Sequence, residues 1–391
     1  MNEKIFEIFE KKLEKLKEEN LYRSIKDMET RMGMEITIQG KKYINFSSND
    51  YLGLSQNSML KEAAKQAVEI FGCGGAASRL LSGGTILHRK LEELLCEFKG
   101  SEGSIVLNSG YTANTSLIPA LADEEDIIFS DELNHASIID GIRLSKAKKV
   151  IYKHADMNDL YRKIKENSCK GKKIIVTDTV FSMDGDIAPL GEFYEICNSE
   201  EALLYIDDAH GTGVLGQGHG ALKHFNLPQT NFVIQMGTLS KAIGCFGAFV
   251  CGANTLIEWF INSARGLIFS TALPATIIAS AYASIKIIME DKTLIERLWQ
   301  NTGKVMEFVK KLNLKTTNTQ TPIIPILFNT IHEATKASQI FNDLGIYAPV
   351  IRPPTVKLPR IRITISAGHT DRDIERLMEA FNLLYRQLHQ V

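Results

Sequence analysis

The chain has 391 residues, 44% hydrophobic and 23% charged, and its 45 Lys+Arg against 46 Asp+Glu give a formal net charge of -1. That composition is ordinary for a globular protein long enough to form two packed lobes, and the balanced charge excludes a globally basic surface for nucleic acid or anionic membrane. An anionic ligand must therefore be held by a local site.

The first twenty residues, MNEKIFEIFEKKLEKLKEEN, are charged throughout and lack the apolar stretch of a secretory signal. Residues 3–20 predict a charged amphipathic helix with Ile5, Phe9, Leu13 and Leu16 on one stripe. KYINFSSNDYLGL predicts a short strand running into a loop. From residue 60 onward helical stretches (KEAAKQAVEIF, HRKLEELLCEFK, DLYRKIKEN) alternate with the apolar runs GSIVLNS, EDIIFSD, AKKVIYK, KKIIVTDTV, ALLYIDDAH, NFVIQMG and GAFVCG. Those runs are short, β-branched and nearly continuous, as strands buried on both faces are, so they predict an α/β domain with a mostly parallel central sheet flanked by helices. Leu267–Ile285 is uncharged but holds Pro274 and five Ser/Thr, and reads as a buried segment rather than a membrane span. Beyond Ala281 one long helix (SIKIIMEDKTLIERLWQNTGKVMEFVKKLN), strands at TPIIPILF and RIRITIS, and a final helix predict a smaller α+β domain. The expected division is 1–46 as an N-terminal helix and arm, 47–280 as the large domain and 281–391 as the small one. The six cysteines form no C-x-x-C pair and have no zinc spacing to histidines, which predicts buried free thiols in a reducing cytoplasm and no metal site.

The chemistry-bearing motifs fall at strand ends, where open parallel sheets bind ligands. Gly237-Thr238-Leu239-Ser240-Lys241 follows the strand FVIQM. Lysine is rarely buried unless paired or functional, and a desolvated lysine forms an imine with an aldehyde; the alternative is a solvated loop lysine. Asp207-Asp208-Ala209-His210 follows ALLYI. An acid there suits a pyridine nitrogen, which must stay protonated to accept electrons from a carbanion, and His210 could reach the ring's phenolic oxygen; a metal site or polar turn is the alternative. Ser109-Gly110-Tyr111 opens the helix TANTSLIPAL, and a helix start with a glycine suits a phosphate. Thr238, Ser270 and Thr271 are further hydroxyl candidates for that phosphate. His135, after DIIFS, could stack on a flat heterocycle, and Ser182 stands at the end of IIVTDTV. Gly211-Thr212-Gly213-Val214-Leu215-Gly216 fits G-x-G-x-x-G, but no long helix opens at Gly216 and no acid stands near position 236, so a dinucleotide reading fails. Arg360 and Arg362 share a face of a predicted strand; one could clamp a carboxylate, with solvated edge arginines as the alternative.

From Ser47 to Leu384 the chain resembles the α-oxoamine synthases, enzymes of the pyridoxal 5′-phosphate (PLP)-dependent transferase fold type I. The motifs are SSNDYLGL, SRLLSGGTILHRKLEE, SDELNHASIIDGIRLSKA, VFSMDGDIAPL, IDDAHGTGVLG, GTLSKAIG, IFSTALP and RIRITISAGHT. The resemblance implies Lys241 as the PLP lysine, Asp207 at the pyridine nitrogen, His210 at the phenolate and His135 stacked on the ring. Ser182, Thr238 and the Gly110-Tyr111 turn resemble further cofactor contacts. It implies Asn49 and Arg362 on the substrate side, with Arg362 on the amino-acid carboxylate. It also implies that Ser270 and Thr271 reach the phosphate of a second subunit, hence a homodimer. The implied reaction joins an amino acid to an acyl thioester, on coenzyme A or an acyl carrier protein, with loss of CO₂. Gly345-Ile346-Tyr347-Ala348-Pro349 and the run Arg352-Pro353-Pro354-Thr355-Val356 resemble the subgroup that uses L-alanine and a pimeloyl thioester in biotin biosynthesis, with Thr355 and Arg23 as its substrate contacts. SDELNHASIIDGIRLSKA is also close to the glycine C-acetyltransferases. Two departures from the family pattern are GQGHG, with His219 where arginine is usual, and Ala275 in place of a second proline.

Overall fold

A computed structural model describes residues 3–389, and the side chains of residues 5–388. The chain folds as two compact units, 49–300 and a second formed by 1–48 together with 301–391. The division falls at 48/49 and 300/301 rather than at 46/47 and 280/281, and the N-terminal arm belongs to the unit of the C-terminal residues.

The unit 49–300 is built on seven strands, one for each apolar run: β1 (Gly103–Leu107), β2 (Ile127–Asp131), β3 (Lys148–Tyr152), β4 (Lys173–Asp178), β5 (Ala202–Asp207), β6 (Val233–Thr238) and β7 (Ala248–Gly252). Their order is β1-β7-β6-β5-β4-β2-β3. β7 pairs antiparallel with both β6 and β1; the other pairs are parallel. This is the α/β fold of the PLP-dependent fold type I enzymes, with helices flanking a mostly parallel sheet. The strands read as continuous apolar runs because both faces are covered. On one face, helices α1 (Gly110–Leu121) and α2 (Ala136–Leu144) bury Leu117, Ile118 and Ile138 against Ile128, Val176 and Ile234, all at most 1% exposed. Full burial of each such side chain stabilises by about 1.5–3 kcal/mol. The two helices pack closely because Gly141 lets α2 ride on the backbone of α1.

The expected single long helix is two, α3 (Ala275–Glu290) and α4 (Thr293–Lys311). Asp291 breaks it: as the C-cap of the first helix it is extended, and its carboxylate accepts from Thr293 N at 2.9 Å in an Asx turn just before the second. Leu267–Ile285 is a short helix, an extended stretch and most of α3, and no described helix is long and apolar enough to cross a membrane.

In the other unit, helix Glu3–Glu18 is followed by a small sheet of Thr30–Met32, Glu35–Ile38, Lys41–Asn45 and Ile346–Tyr347, which joins residues about three hundred positions apart in sequence through the pair Ile346↔Ile44. A second sheet places Arg360–Thr364 between Ile323–Leu327 and Val350–Ile351. Arg360 and Arg362 are therefore 6% and 7% exposed, not solvated edge residues. All six cysteines are free thiols, but Cys73 is exposed and only Cys197 and Cys251 are buried, so the expectation of buried thiols holds for part of the set.

Candidate active site

The parallel strands end at one edge of the sheet, and their last residues carry the site. Register sets Asp178 of β4 beside Asp207 of β5. Asp207 is 4% exposed; its Oδ2 accepts from Asn114 Nδ2 at 2.8 Å and its Oδ1 from Ala209 N at 3.0 Å. Burial and the Asp207 charge raise the Asp178 carboxyl well above the usual carboxylate range. Its Oδ2 accepts from His135 N at 2.7 Å, and His135 caps α2, its Nδ1 accepting from Ser137 N. Burial, with the Lys241 charge, lowers the His135 pKa, against the pull of Asp207. The Lys241 charge acts on Asp178 too, so Lys241, Asp207, His135 and Asp178 form one electrostatic cluster.

The neighbouring Asp208 does separate work. Adjacent residues at a strand end point to opposite faces, and Asp208 meets Lys99 Nζ at 2.8 Å with both side chains fully excluded from solvent. Thr179 Oγ1, Thr212 Oγ1 and Ala221 N also donate to it. This pair anchors the turn that carries His210, whose Nδ1 lies 2.7 Å from Tyr51 Oη.

Lys241 is half-buried in a loop tied between β6 and β7. Thr238 Oγ1 donates to Gly247 O at 2.9 Å and accepts from Ser240 N at 3.1 Å; Gly244 N donates to Lys241 O at 2.8 Å. Gly244 has φ 71°, and a Cβ there would stand 2.5 Å from Ser55 N, so the loop needs glycine. Thr238 thus spends its hydroxyl proton on the loop itself. Ser109 Oγ caps α1 through Thr112 N at 3.1 Å. Gly110 is different: a Cβ would meet only Met236 Cε, at 3.9 Å, so packing leaves room at the helix start for an anion. Tyr111 is half-exposed and its hydroxyl bonds to Asp140. Ser182 is half-buried in a tight turn closed by Gly185 N to Phe181 O at 2.8 Å. Asn49 is half-buried and its carbonyl accepts from Tyr51 N at 2.9 Å. Ser270 and Thr271 form an edge in which Thr271 bridges Ser78 and is exposed.

Arg23, Thr355 and Arg362 lie in the other unit. Arg23 Nη2 donates to Pro353 O at 3.5 Å, which brings it to the 352–355 run, and Thr355 is exposed. Arg362 is buried and donates to Thr364 Oγ1 at 2.8 Å. Asn114, Ser137, Asp178, Tyr51 and Lys99 were not singled out by motif. For Lys99 the signal was present: it follows Phe98 on the buried face of Ile86–Lys99, beside Leu91, Leu94 and Leu95. No group of three or more metal-ligating side chains occurs among the described residues. A half-buried amine, a buried carboxylate set by two neutral donors, and an open glycine at a helix start fit a PLP ring with its aldehyde, pyridine nitrogen and phosphate.

The comparisons agree. The aminotransferase class I and II family model matches residues 41–381. A Thermodesulfovibrio yellowstonii protein, provisionally named an 8-amino-7-oxononanoate synthase, is 74% identical over 98% of this chain and 99% of its own length. The 8-amino-7-oxononanoate synthase of Thermosipho melanesiensis is 44% identical over 98% of each chain. Among solved structures, a high-resolution structure of SPT with PLP internal aldimine matches with TM-score 0.92 and 29% identity over 99% of both chains. The crystal structure of 8-amino-7-oxononanoate synthase from Francisella tularensis matches with TM-score 0.77 and 29% identity, covering 89% of this chain and 98% of that one.

Proposed function

The chain belongs to the aminotransferase class I and II family, among its α-oxoamine synthases, and from that premise we propose that it is a PLP-dependent acyltransferase that condenses L-alanine with a pimeloyl thioester. The products are 8-amino-7-oxononanoate, CO₂ and the free thiol, a step of biotin biosynthesis. The observation that carries the reading is the cluster of Lys241, Asp207 and His135 at one edge of the sheet, with full-length relatives at 74% and 44% identity bearing the activity in their names.

PLP supplies an electron-withdrawing ring for the carbanion generated at the amino acid's Cα. Lys241 Nζ would hold the cofactor covalently and, once the substrate amine has replaced it, would carry the Cα proton. The Asp207 carboxylate keeps a proton on the pyridine nitrogen. His210, held by Tyr51, would serve the phenolic oxygen, and His135 would stack on the ring and assist the acyl transfer. Ser109, Gly110 and Tyr111 would hold the phosphate at the helix start, with Ser182 as a further contact; Thr238, implied as another, would have to give up its bond to Gly247 O to donate to the phosphate. The resemblance implies Asn49 and Arg362 as amino-acid contacts, Arg362 for the carboxylate, and Arg23 and Thr355 as substrate contacts of the subgroup. The active form is a homodimer in which Ser270 and Thr271 serve the partner's phosphate; Thr271 is exposed, and Phe269 and Leu81 near it are 70% and 81% exposed. The proposed compartment is the cytoplasm, in keeping with six free thiols.

The test is to add PLP to purified protein, reduce with borohydride and map the modified peptide, then compare alanine and glycine with pimeloyl-CoA, a pimeloyl carrier protein and acetyl-CoA. Modification at Lys241 and preference for alanine with a pimeloyl donor are expected, and the two pimeloyl donors' kcat/KM values identify the natural carrier. Preference for glycine with acetyl-CoA would make the enzyme a glycine C-acetyltransferase, and modification at another lysine would end the reading. Light scattering on the eluted protein reads the dimer.

A further inference from the structure

Asn114 is fully buried in α1, and its amide is used in three directions. Nδ2 donates to Asp207 Oδ2 and to Ser137 Oγ, each at 2.8 Å, and Oδ1 accepts from Tyr205 Oη at 2.8 Å. Which end of the amide is which follows from chemistry: an ionised carboxylate only accepts, so the NH₂ end must face Asp207. Ser137 Oγ, which accepts from Asn114, lies 2.7 Å from His135 Nδ1. The hydroxyl's own proton is left for that nitrogen. Ser137 N also donates to Nδ1, at 3.3 Å, as the capping bond of α2. A ring nitrogen that receives two donors carries no proton of its own, so in the neutral imidazole the proton is on Nε2.

We propose that Asn114 and Ser137 are positioning residues that fix His135 as the neutral, Nε2-protonated tautomer while holding the Asp207 carboxylate, so that a single buried amide sets both the acid and the imidazole of the site. The positive end of the α2 helix dipole at its cap, and the electrostatics already described for His135, work in the same direction. One device orienting two functional groups explains why these two helices meet so closely at this point. A Cβ on Gly141 would stand 2.4 Å from Asn114 O, so the glycine admits the approach that brings Asn114 to Ser137.

The inference rests on the assignment of His135 and Asp207 to the active site, but its primary test needs neither cofactor nor substrate. In full-length protein with ¹⁵N-labelled histidine, the His135 signals are those lost in His135→Asn, and their shifts report the tautomer. Wild-type protein is expected to show an unprotonated Nδ1 and a protonated Nε2 from pH 7 to 9. Ser137→Ala is expected to show a mixed tautomer that titrates at higher pH, and Ser137→Thr, which keeps the hydroxyl, to restore the wild-type pattern. With PLP and substrates, Ser137→Ala is expected to lose about tenfold in kcat, to move the acid limb of the pH profile upward and to leave the amino-acid KM unchanged. Asn114→Ala, checked for folding by circular dichroism, is expected to move the same His135 signals. A proton on Nδ1 in the wild type, or a spectrum unchanged by Ser137→Ala, overturns the proposal. Failure to condense alanine with a pimeloyl thioester, with the tautomer as expected, would instead fall on the proposed reaction alone.

Discussion

Replacing Lys99 by methionine tests the claim that Asp208 is structural and Asp207 chemical. Lys99 Nζ meets Asp208 Oδ2 at 2.8 Å, His219 O at 2.7 Å and Thr212 Oγ1 at 3.3 Å, so all three ammonium protons are used in a place without solvent. Removing one partner of a buried pair typically costs about 3–5 kcal/mol, because the remaining charge is left uncompensated. Asp208 would keep Thr179, Thr212 and Ala221 as donors, which places Lys99→Met toward the lower end. At about 2–4 °C of Tm per kcal/mol for a unit of this size, the melting temperature should fall by roughly 6–12 °C. Asp208→Asn added to Lys99→Met removes the stranded charge while keeping an acceptor for Ala221 N, and should recover more than half of the loss. Urea unfolding at pH 7, with calorimetry of the same variants, reads both effects. A Lys99→Met protein within about 0.5 kcal/mol of wild type would behave like a surface substitution and refute the reasoning.

Three further outcomes follow from the geometry. His154 lies between Asp131 (3.0 Å) and Asp186 (2.8 Å); burial opposes its charge, but the two carboxylates win and push its pKa up to about 10. A histidine raised in the folded state stabilises fully below its unfolded pKa of about 6.5 and loses that contribution as pH rises through 10, so the stability gap between wild type and His154→Gln should shrink from pH 6 to pH 10.5; a gap constant across urea midpoints at pH 6, 8 and 10.5 would contradict it. Gly141→Ala must push α2 off Asn114 O and should cost about 1–3 kcal/mol of stability and weaken PLP affinity, read by thermal melting and fluorescence titration; a variant unchanged in both would show that the helices give way freely. Asp207→Asn should still take up PLP on Lys241 but lose about 10²-fold or more in kcat, measured as product formed under saturating substrates, and retained turnover would remove Asp207 from its role.

Much of this was legible in the sequence, and the failures share a cause. All seven strands of the large sheet were readable because burial on both faces leaves continuous β-branched runs such as Lys173–Asp178, whose last five residues are buried. The break at Asp291 was not, because the apolar period continues across it and only the Asx-turn contact reveals the interruption. The partnership of 1–48 with 301–391 was hidden because it depends on pairing distant residues, as at Ile346↔Ile44. Lys241, Asp207 and His135 stood out as chemically unusual types at strand ends. Asn114 and Ser137 did not, since small polar residues in amphipathic helices are common and only coordinates show where the amide points.

The distribution of charge at the sheet edge explains why one aspartate out of four should serve the ring nitrogen. Asp131 has His154, held protonated between it and Asp186. Asp208 has Lys99. Asp178, raised well above the usual carboxylate range by burial and by its neighbour, lends an oxygen to His135 N. Asp207 accepts from two neutral donors, the Asn114 amide and Ala209 N, which orient a carboxylate without cancelling its charge. A buried carboxylate in that state is stabilised most by a cation brought to it, and a protonated pyridine ring is such a cation. PLP should therefore stabilise the protein by more than the lysine linkage explains, because its ring nitrogen adds a cationic partner for Asp207. The discriminating comparison is the Tm gain on adding pyridoxal 5′-phosphate to wild type and to Asp207→Asn, each reduced onto Lys241. A gain of equal size in both would show that Asp207 makes no electrostatic demand on its ligand, and the wild-type gain should instead be the larger by several degrees.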